Sequence, residues 1–323
     1  MLGSIAIAAC SAAPERASEG SGSGTPLQAA APIVRHHTPE TLVMLAPSIA
    51  LPKQESFVVK DTGKGAKAAL RYAVAVGASE HRVETRLTSR QLDHGTIGAP
   101  IELPPIRDGF AITIANRDGP IAMRPLPAEI VGKPHPIAEQ YVASWRTKLQ
   151  SRRVDVTFDG RGAFSTIAFN DDPTNQRSAA SKDELVQRLL GMTVPVPEVP
   201  VAIGATWVVT TVLRQGPVYI KQTATYTLTE RTATKWKLRA KLLRVGEEQT
   251  VLDPALPPGG TADLIALFRL LEGDLEINPT RALVARGRLS VESRVHAKIR
   301  LPGEDVIEQF VEDTGSITFS SSP

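Results

Sequence analysis

The residues able to do acid–base or metal chemistry are scattered along this chain. The six histidines are His36, His37, His81, His94, His135 and His296. None stands in H-x-x-x-H or H-x-H spacing, or beside a cysteine at ligand spacing, so no metal centre is read from them. His36-His37 falls in a Pro-rich stretch where adjacent side chains diverge, which reads as a surface pair. The densest acidic run is Asn170-Asp171-Asp172-Pro173-Thr174-Asn175. It offers oxygen ligands for Ca2+ but lacks the alternating ligand positions and distal Glu of an EF-hand loop, so it reads as an Asx-rich turn. Gly63-Lys64-Gly65 is half of a phosphate loop, without the preceding strand or a following Ser/Thr, and reads as a turn. No nucleophile elbow, P-loop or dinucleotide fingerprint is present, so no catalytic residue and no cofactor is assigned. Glu247-Glu248 and Glu304-Asp305 follow strand patterns and read as hairpin loops. A carboxylate pair for glycoside hydrolysis is a spatial arrangement, and nothing in the spacing favours one.

One set of residues has chemistry that suits a partner. Lys235, Lys237, Arg239 and Lys241 fall on one side of a strand pattern, and Arg288, Arg294, Lys298 and Arg300 on one side of another. If the two strands were neighbours, these cations would form a positive sheet face able to attract anionic lipid or polymer. Like charges directly opposite weaken a sheet, so acids such as Glu292, Glu308 and Glu312 are expected to interleave. The competing reading is a solvated outer face. The faces lack exposed aromatics, which argues against nucleic acid as a partner.

Cys10 is the only cysteine. It sits in Ile7-Ala8-Ala9-Cys10-Ser11, after an uncharged segment of small and apolar residues. This resembles the lipobox of bacterial lipoproteins: an aliphatic residue three before the cysteine, then two small ones. The resemblance implies a lipidated Cys10, cleavage just before it, and an address in the cell envelope. Each buried CH2 of the acyl chains would contribute roughly 0.8 kcal/mol, so several chains give stable anchoring. No Lys or Arg precedes the apolar run, which is short for a signal segment; an upstream start codon would supply both. Ser11 to Ala31 is Ser-, Gly- and Ala-rich, the composition of a flexible tether, and 32–53 is a Pro-rich lead.

The elements that must carry these residues read mostly as strands. From about Glu55 onward, apolar and polar residues alternate. In Arg288–Leu301, Leu289, Val291, Val295, Ala297, Ile299 and Leu301 point one way with Ser293 as the only polar member. Val218–Leu228 and Trp236–Leu242 show the same period, joined by a hairpin link at Thr232-Ala233-Thr234. Further strands are expected at 68–76, 82–92, 110–115, 154–158, 163–169, 207–213, 263–277 and 306–319. The 263–277 segment also fits a helical stripe through Leu264, Leu267, Phe268 and Leu271. Two helices are expected. Ile137 to Leu149 puts Ile137, Tyr141, Trp145 and Leu149 on one face after Pro136. Ser181-Lys182-Asp183-Glu184 reads as a capping box opening a second helix that Gly191 ends. Thr193 to Pro200 is a stiff connector between the halves.

The segment Leu70-Arg71-Tyr72, the hairpin 154–169, the run Val199-Pro200-Val201-Ala202-Ile203-Gly204-Ala205-Thr206-Trp207 and Ala224-Thr225-Tyr226-Thr227-Leu228 together resemble an uncharacterised family of bacterial secreted or lipid-anchored β-rich proteins. That resemblance implies location and architecture and carries no site residues.

The composition agrees with a folded body. The chain has 323 residues, 42% hydrophobic, with a net charge of +3, which excludes chain-long disorder. No window of about 18–20 apolar residues exists, which excludes a polytopic helical membrane protein, and one cysteine excludes a disulfide scaffold. The expectation is a mainly β (α+β) protein with large curved antiparallel sheets in two halves and two short helices packed on them. Its segments are a signal at 1–9, a tether at 10–31, the lead at 32–53, a β half at 54–192, a connector at 193–204 and a second β half at 205–320. The leading functional expectation is a non-catalytic, lipid-anchored envelope protein presenting a scaffold or binding surface to an envelope lipid, polymer or protein. The alternative is a half-barrel carrier of an apolar ligand, and the third an envelope hydrolase.

Overall fold

A computed structural model describes residues 54–93, 96–117, 119–150, 152–169, 178–215, 218–251, 259–303 and 305–322. The first part of the chain forms β1 (Gln54–Asp61), β2 (Gly77–Asp93), β3 (Thr96–Ile97), β4 (Ile101–Ile114), β5 (Ile121–Pro125), β6 (Glu129–Ile130), helix α1 (Pro136–Lys148), β7 (Val154–Phe158), β8 (Phe164–Phe169) and helix α2 (Ser178–Gly191). The second part forms β9 (Thr206–Gln215), β10 (Val218–Arg231), β11 (Trp236–Gly246), β12 (Gln249–Val251), β13 (Thr261–Ile277), β14 (Arg286–Arg300) and β15 (Ile307–Ser322).

Period-2 alternation builds these strands and decides which side of each is buried. β11 buries Trp236, Leu238, Ala240 and Leu242 and exposes Lys237, Arg239 and Lys241. All fifteen strands join one antiparallel sheet in the order β1-β9-β10-β11-β13-β14-β15-β2-β4-β5-β7-β8, with β12, β3 and β6 paired at its margins. The mainly β architecture with two helices is as expected. The two sequence halves are one sheet, however: β15 pairs along β2 from Gln309↔Asp93 to Ser322↔Glu80, and β1 crosses to the far edge beside β9. The ends of the path, β1 and β8, do not meet, so the sheet is not a closed barrel. Register shifts at Thr85/Leu87, Leu228/Glu230 and Leu264/Ala266 bend the strands locally.

Both helices lie on the core side. Pro136 opens α1, His135 Nδ1 caps it by accepting from the Ile137 N–H, and Ala138, Tyr141 and Trp145 are buried. Trp145 Nε1 donates to the Leu126 carbonyl at 2.8 Å, which satisfies the indole inside the core. α2 buries Leu185, Val186 and Leu189 and packs on β9 and β8. Trp145, Trp207 and Trp236, 2%, 0% and 4% exposed, are the large anchors in a core otherwise built mostly from Leu, Val, Ile and Ala.

Four local expectations need correction or sharpening. α2 begins at Ser178, so Ser181 is already inside the helix and 181–184 is not its capping box. Segment 68–76 makes only an isolated bridge, Ala68↔Val201. It is extended and sends Leu70 into the core, but the N–H groups of Tyr72, Ala73 and Ala75 go to the carbonyls of Gly160, Pro279 and Thr280 in turns. β13 is a strand. The bulge between Leu264 and Ala266 puts Leu264 and Leu267 on one face three residues apart, and Arg269 and Gly273 occupy the inward positions between Leu267, Leu271 and Leu275. Those two effects together imitate a helical stripe. The connector 193–200 is not a free divider: Val194 and Val196 are buried, and the carbonyls of Val194 and Pro195 accept from Tyr72 Oη and Trp207 Nε1.

Candidate functional site

The expected cations all lie on the outer side of the sheet, but the two sets are not neighbours. β13 runs between β11 and β14 and places an acid beside most of them. Lys237 stands opposite Glu276, Arg239 opposite Asp274 and Lys241 opposite Glu272. Arg288 flanks Asp274 from the other side. Lys235 and Lys237 also pair with Glu230 at 2.7 and 2.6 Å. On β14 and β15, Arg294 pairs with Glu292 and Glu312 and Lys298 with Glu308, and on the other side Arg300 of β14 pairs with Asp263 of β13. His296 Nε2 lies 2.7 Å from the same Glu308. Alternation of sign along rows perpendicular to the strands replaces the unbroken positive face. The interleaving acids expected at Glu292, Glu308 and Glu312 are present, and β13 adds three more along its outer side, Glu272, Asp274 and Glu276.

Two open grooves mark this outer side. One of about 430 Å3 is lined by Arg82, Glu84, Arg107 and Glu129 with Thr318 and Ser320. The hydrogen bonds and charges of Arg107 and Arg86 outweigh desolvation and hold the Glu84 carboxyl below its usual range. The other, about 350 Å3, runs over β13, β14 and β15. Both are lined largely by charged and polar side chains.

The core side holds the feature that the strand patterns left unread. Lateral neighbours across seven strands form one polar row: Thr211, Gln222, Arg244, Arg269, Ser293, Asp313 and Ser89. Each is buried, at 9%, 7%, 9%, 4%, 1%, 5% and 6% exposure respectively. The row divides the apolar interior. On one side lies the main core, with Tyr226, Leu242, Leu271 and Val291. On the other lies a smaller cluster of Leu213, Val218, Ile220, Leu264, Leu267 and Val295.

Within the row, Arg244 Nε donates to Gln222 Oε1 at 2.7 Å. Arg269 Nε donates to Ser293 Oγ at 3.3 Å. Burial and then the like charge of Arg269 push the Arg244 guanidinium down to about 9. Burial pushes Arg269 down to about 10, opposed by the charge of Asp313. Burial raises the Asp313 carboxyl, against a hydrogen bond from Ser89 and the charge of Arg269. Arg269 Nη2 is buried with no hydrogen-bond partner. The C-terminal end of α2 arrives here as well: a Cβ on Gly191 would sit 3.7 Å from Arg244 Nη2. The negative end of the helix dipole favours a cation at that point.

A second buried charge cluster ties the helices down. Arg188 Nη1 of α2 donates to both oxygens of Asp108 on β4 at 3.0 Å. Tyr141 Oη of α1 donates to Asp108 Oδ2 at 3.0 Å, and the guanidinium lies 4.3 Å from the Trp145 ring centroid. Its contacts run between sheet and helices, so it reads as an internal clamp.

The remaining motifs fall as follows. Gly63-Lys64-Gly65 does follow a strand, β1, contrary to expectation, but no Ser or Thr follows the Lys, and the segment is a turn closed by Asp61 Oδ1, which accepts from the Gly63 N–H. Asp159 to Gly162 is an Asx turn in which Asp159 Oδ1 accepts from the N–H groups of Arg161 and Ala163. Cys10, His36, His37, His94, Asn170–Asn175 and Glu304 lie outside the described residues. Among the described residues no group of three or more His, Cys, Asp or Glu gathers to hold a metal, and no helix is long and apolar enough to cross a membrane. The chain matches no family model and no curated protein, so the site stands on its own geometry.

Proposed function

We propose that this protein is a lipid-anchored component of the bacterial cell envelope whose β body acts by binding rather than by catalysis. The observation that carries the reading is Cys10: the one cysteine of the chain follows Ile7-Ala8-Ala9 and precedes a Ser/Gly-rich stretch suited to a tether. The body's build favours a scaffold over a carrier of apolar cargo. The main core under the sheet is occupied by the protein's own side chains, Trp145, Trp207 and Phe110 among them. On the outer side each row of cations meets acids, which favours a partner matched at close range, another envelope protein, over a diffuse anionic polymer.

The test is Cys10→Ala, expressed in the native gene context with an alkyne fatty acid in the medium. Wild type is expected to carry the label and sediment with membranes, and the variant to lose both. A Cys10→Ala protein that stays with the membrane as fully as wild type overturns the proposal.

A further inference from the structure

The buried row contains two arginines and one carboxylate, and its arginines are adjacent. Arg244 and Arg269 are lateral partners on β11 and β13, where directly opposite side chains have Cβ atoms roughly 5 Å apart. Two like charges in a low-dielectric interior repel strongly, and an unpaired buried charge is among the costliest features a fold can retain. Gln222 and Ser293 supply neutral oxygens to the Nε atoms. The single acid, Asp313, stands two strands from Arg269, beyond Ser293, and its carboxyl is itself driven toward the neutral form by burial. The end of α2 offsets part of the charge on Arg244 only. Arg269 is left with a buried donor, Nη2, and nothing to receive it.

We propose that the Arg244–Arg269 pair is a phosphate-type oxyanion site set into the core side of the sheet. A guanidinium fork matches two oxygens of a phosphate or phosphodiester. One such group bridging the two arginines would satisfy Arg269 Nη2 and remove the surplus charge. The chemistry is shared by free phosphate and by a phospholipid head group. The inference goes beyond the anchoring of the protein and does not depend on it.

The experiment uses the purified full-length chain refolded from denaturant, which strips any copurified ligand. Thermal unfolding is followed against inorganic phosphate, with chloride at equal ionic strength as control, and against monomeric dihexanoyl phosphatidylglycerol. Saturating ligand is expected to raise the midpoint by roughly 5 °C or more. A shift with both ligands assigns the site to the head group alone; a shift with the lipid only assigns it to an amphiphile. Arg269→Met is expected to weaken the apparent Kd at least tenfold, and Arg269→Lys, which keeps the charge but loses the fork, to weaken it to an intermediate extent. Arg294→Gln on the outer side is expected to bind as wild type. The proposal is overturned if neither ligand shifts wild type beyond the chloride control. It is also overturned if Arg269→Lys, folded, binds like wild type, or if Arg294→Gln abolishes the shift.

Discussion

Removing Asp108 should expose how the two helices are held to the sheet. Asp108 is fully buried on β4 and the Arg188 side chain is 7% exposed. The carboxylate takes both of its oxygens to Arg188 Nη1 and one to Tyr141 Oη. Burial would push a lone guanidinium down, but the charges of Asp108, Tyr141 and Glu184 hold Arg188 well above its usual value. In Asp108→Ala the arginine keeps its charge, loses its hydrogen-bonded counter-ion, retains only Glu184 at 3.8 Å, and cannot reach water. Breaking a buried pair by removing one partner costs about 3–5 kcal/mol. At about 2–4 °C per kcal/mol for a body of this size, the midpoint should fall by roughly 6–20 °C. The companion variant, Asp108→Leu with Arg188→Met, replaces the pair by apolar groups and should return to within about 1 kcal/mol of wild type. Urea unfolding read by tryptophan fluorescence measures both, since Trp145 lies against the Arg188 guanidinium. The reasoning fails if Asp108→Ala costs less than about 1 kcal/mol. It fails equally if the double variant loses the sum of the two single losses, because then the pair would have no coupling to recover.

Two further outcomes follow from buried groups and turns. His81 is fully buried, its ring stacked on Phe319 at 6.1 Å with Nε2 unpartnered, and burial pushes it down to about 4. Its folded value lies below its unfolded one, so the unfolded chain binds the extra proton. Stability is therefore present above about pH 6.5 and is lost as the pH falls toward 4, by about 3 kcal/mol in all. His81→Phe should flatten that part of the pH–stability curve; equal slopes in both proteins would show that another group titrates. Gly162→Ala should destabilise more than Gly204→Ala. Both positions have positive φ, +78° and +87°, but a Cβ at 162 lies 2.3 Å from Tyr72 Cε2, and at 204 nothing lies within 4 Å. Gly204→Ala should cost about 1 kcal/mol of backbone strain. Gly162→Ala should add to that the displacement of Tyr72 from Trp236 and from the Val194 carbonyl. Equal midpoints in chemical denaturation would show that the ring moves aside freely.

Strand patterns are legible where apolar residues hold most of one face over several turns of the period. β10 and β14 show in the sequence despite Gln222 and Ser293 on their buried faces, β11 shows as far as Leu242, before the buried Arg244, and α1 shows its buried face through Tyr141, Trp145 and Leu149. Elsewhere the pattern is too short or too ambiguous. β5 is five residues long, with Arg124 and Pro125 in it, too short for a period to show. The sequence does not show the start of α2, because a Ser followed three residues later by Glu looks like a cap whether or not the helix has already begun. The polar row leaves a trace in each of β10, β11, β13 and β14: Gln222 between Ile220 and Ala224, Arg244 after Leu242, Arg269 between Leu267 and Leu271, and Ser293 on an otherwise apolar face. In a single strand each looks like a blemish. Only lateral pairing makes them a site.

By itself the sequence determined the class of the fold, because alternation is a local property that each strand carries in its own residues. It also determined the large aromatic anchors and the singular cysteine near the start of the chain. The tertiary structure decided what no strand contains: which strands are neighbours. That choice placed β13 between two basic strands and so neutralised the face their cations would have made. It joined the halves through β15 and β2. It also set Arg244 against Arg269 inside the core. Strand order depends on contacts between residues far apart in the chain, and a charge has a sign in the sequence but gains its energy only from what is placed beside it.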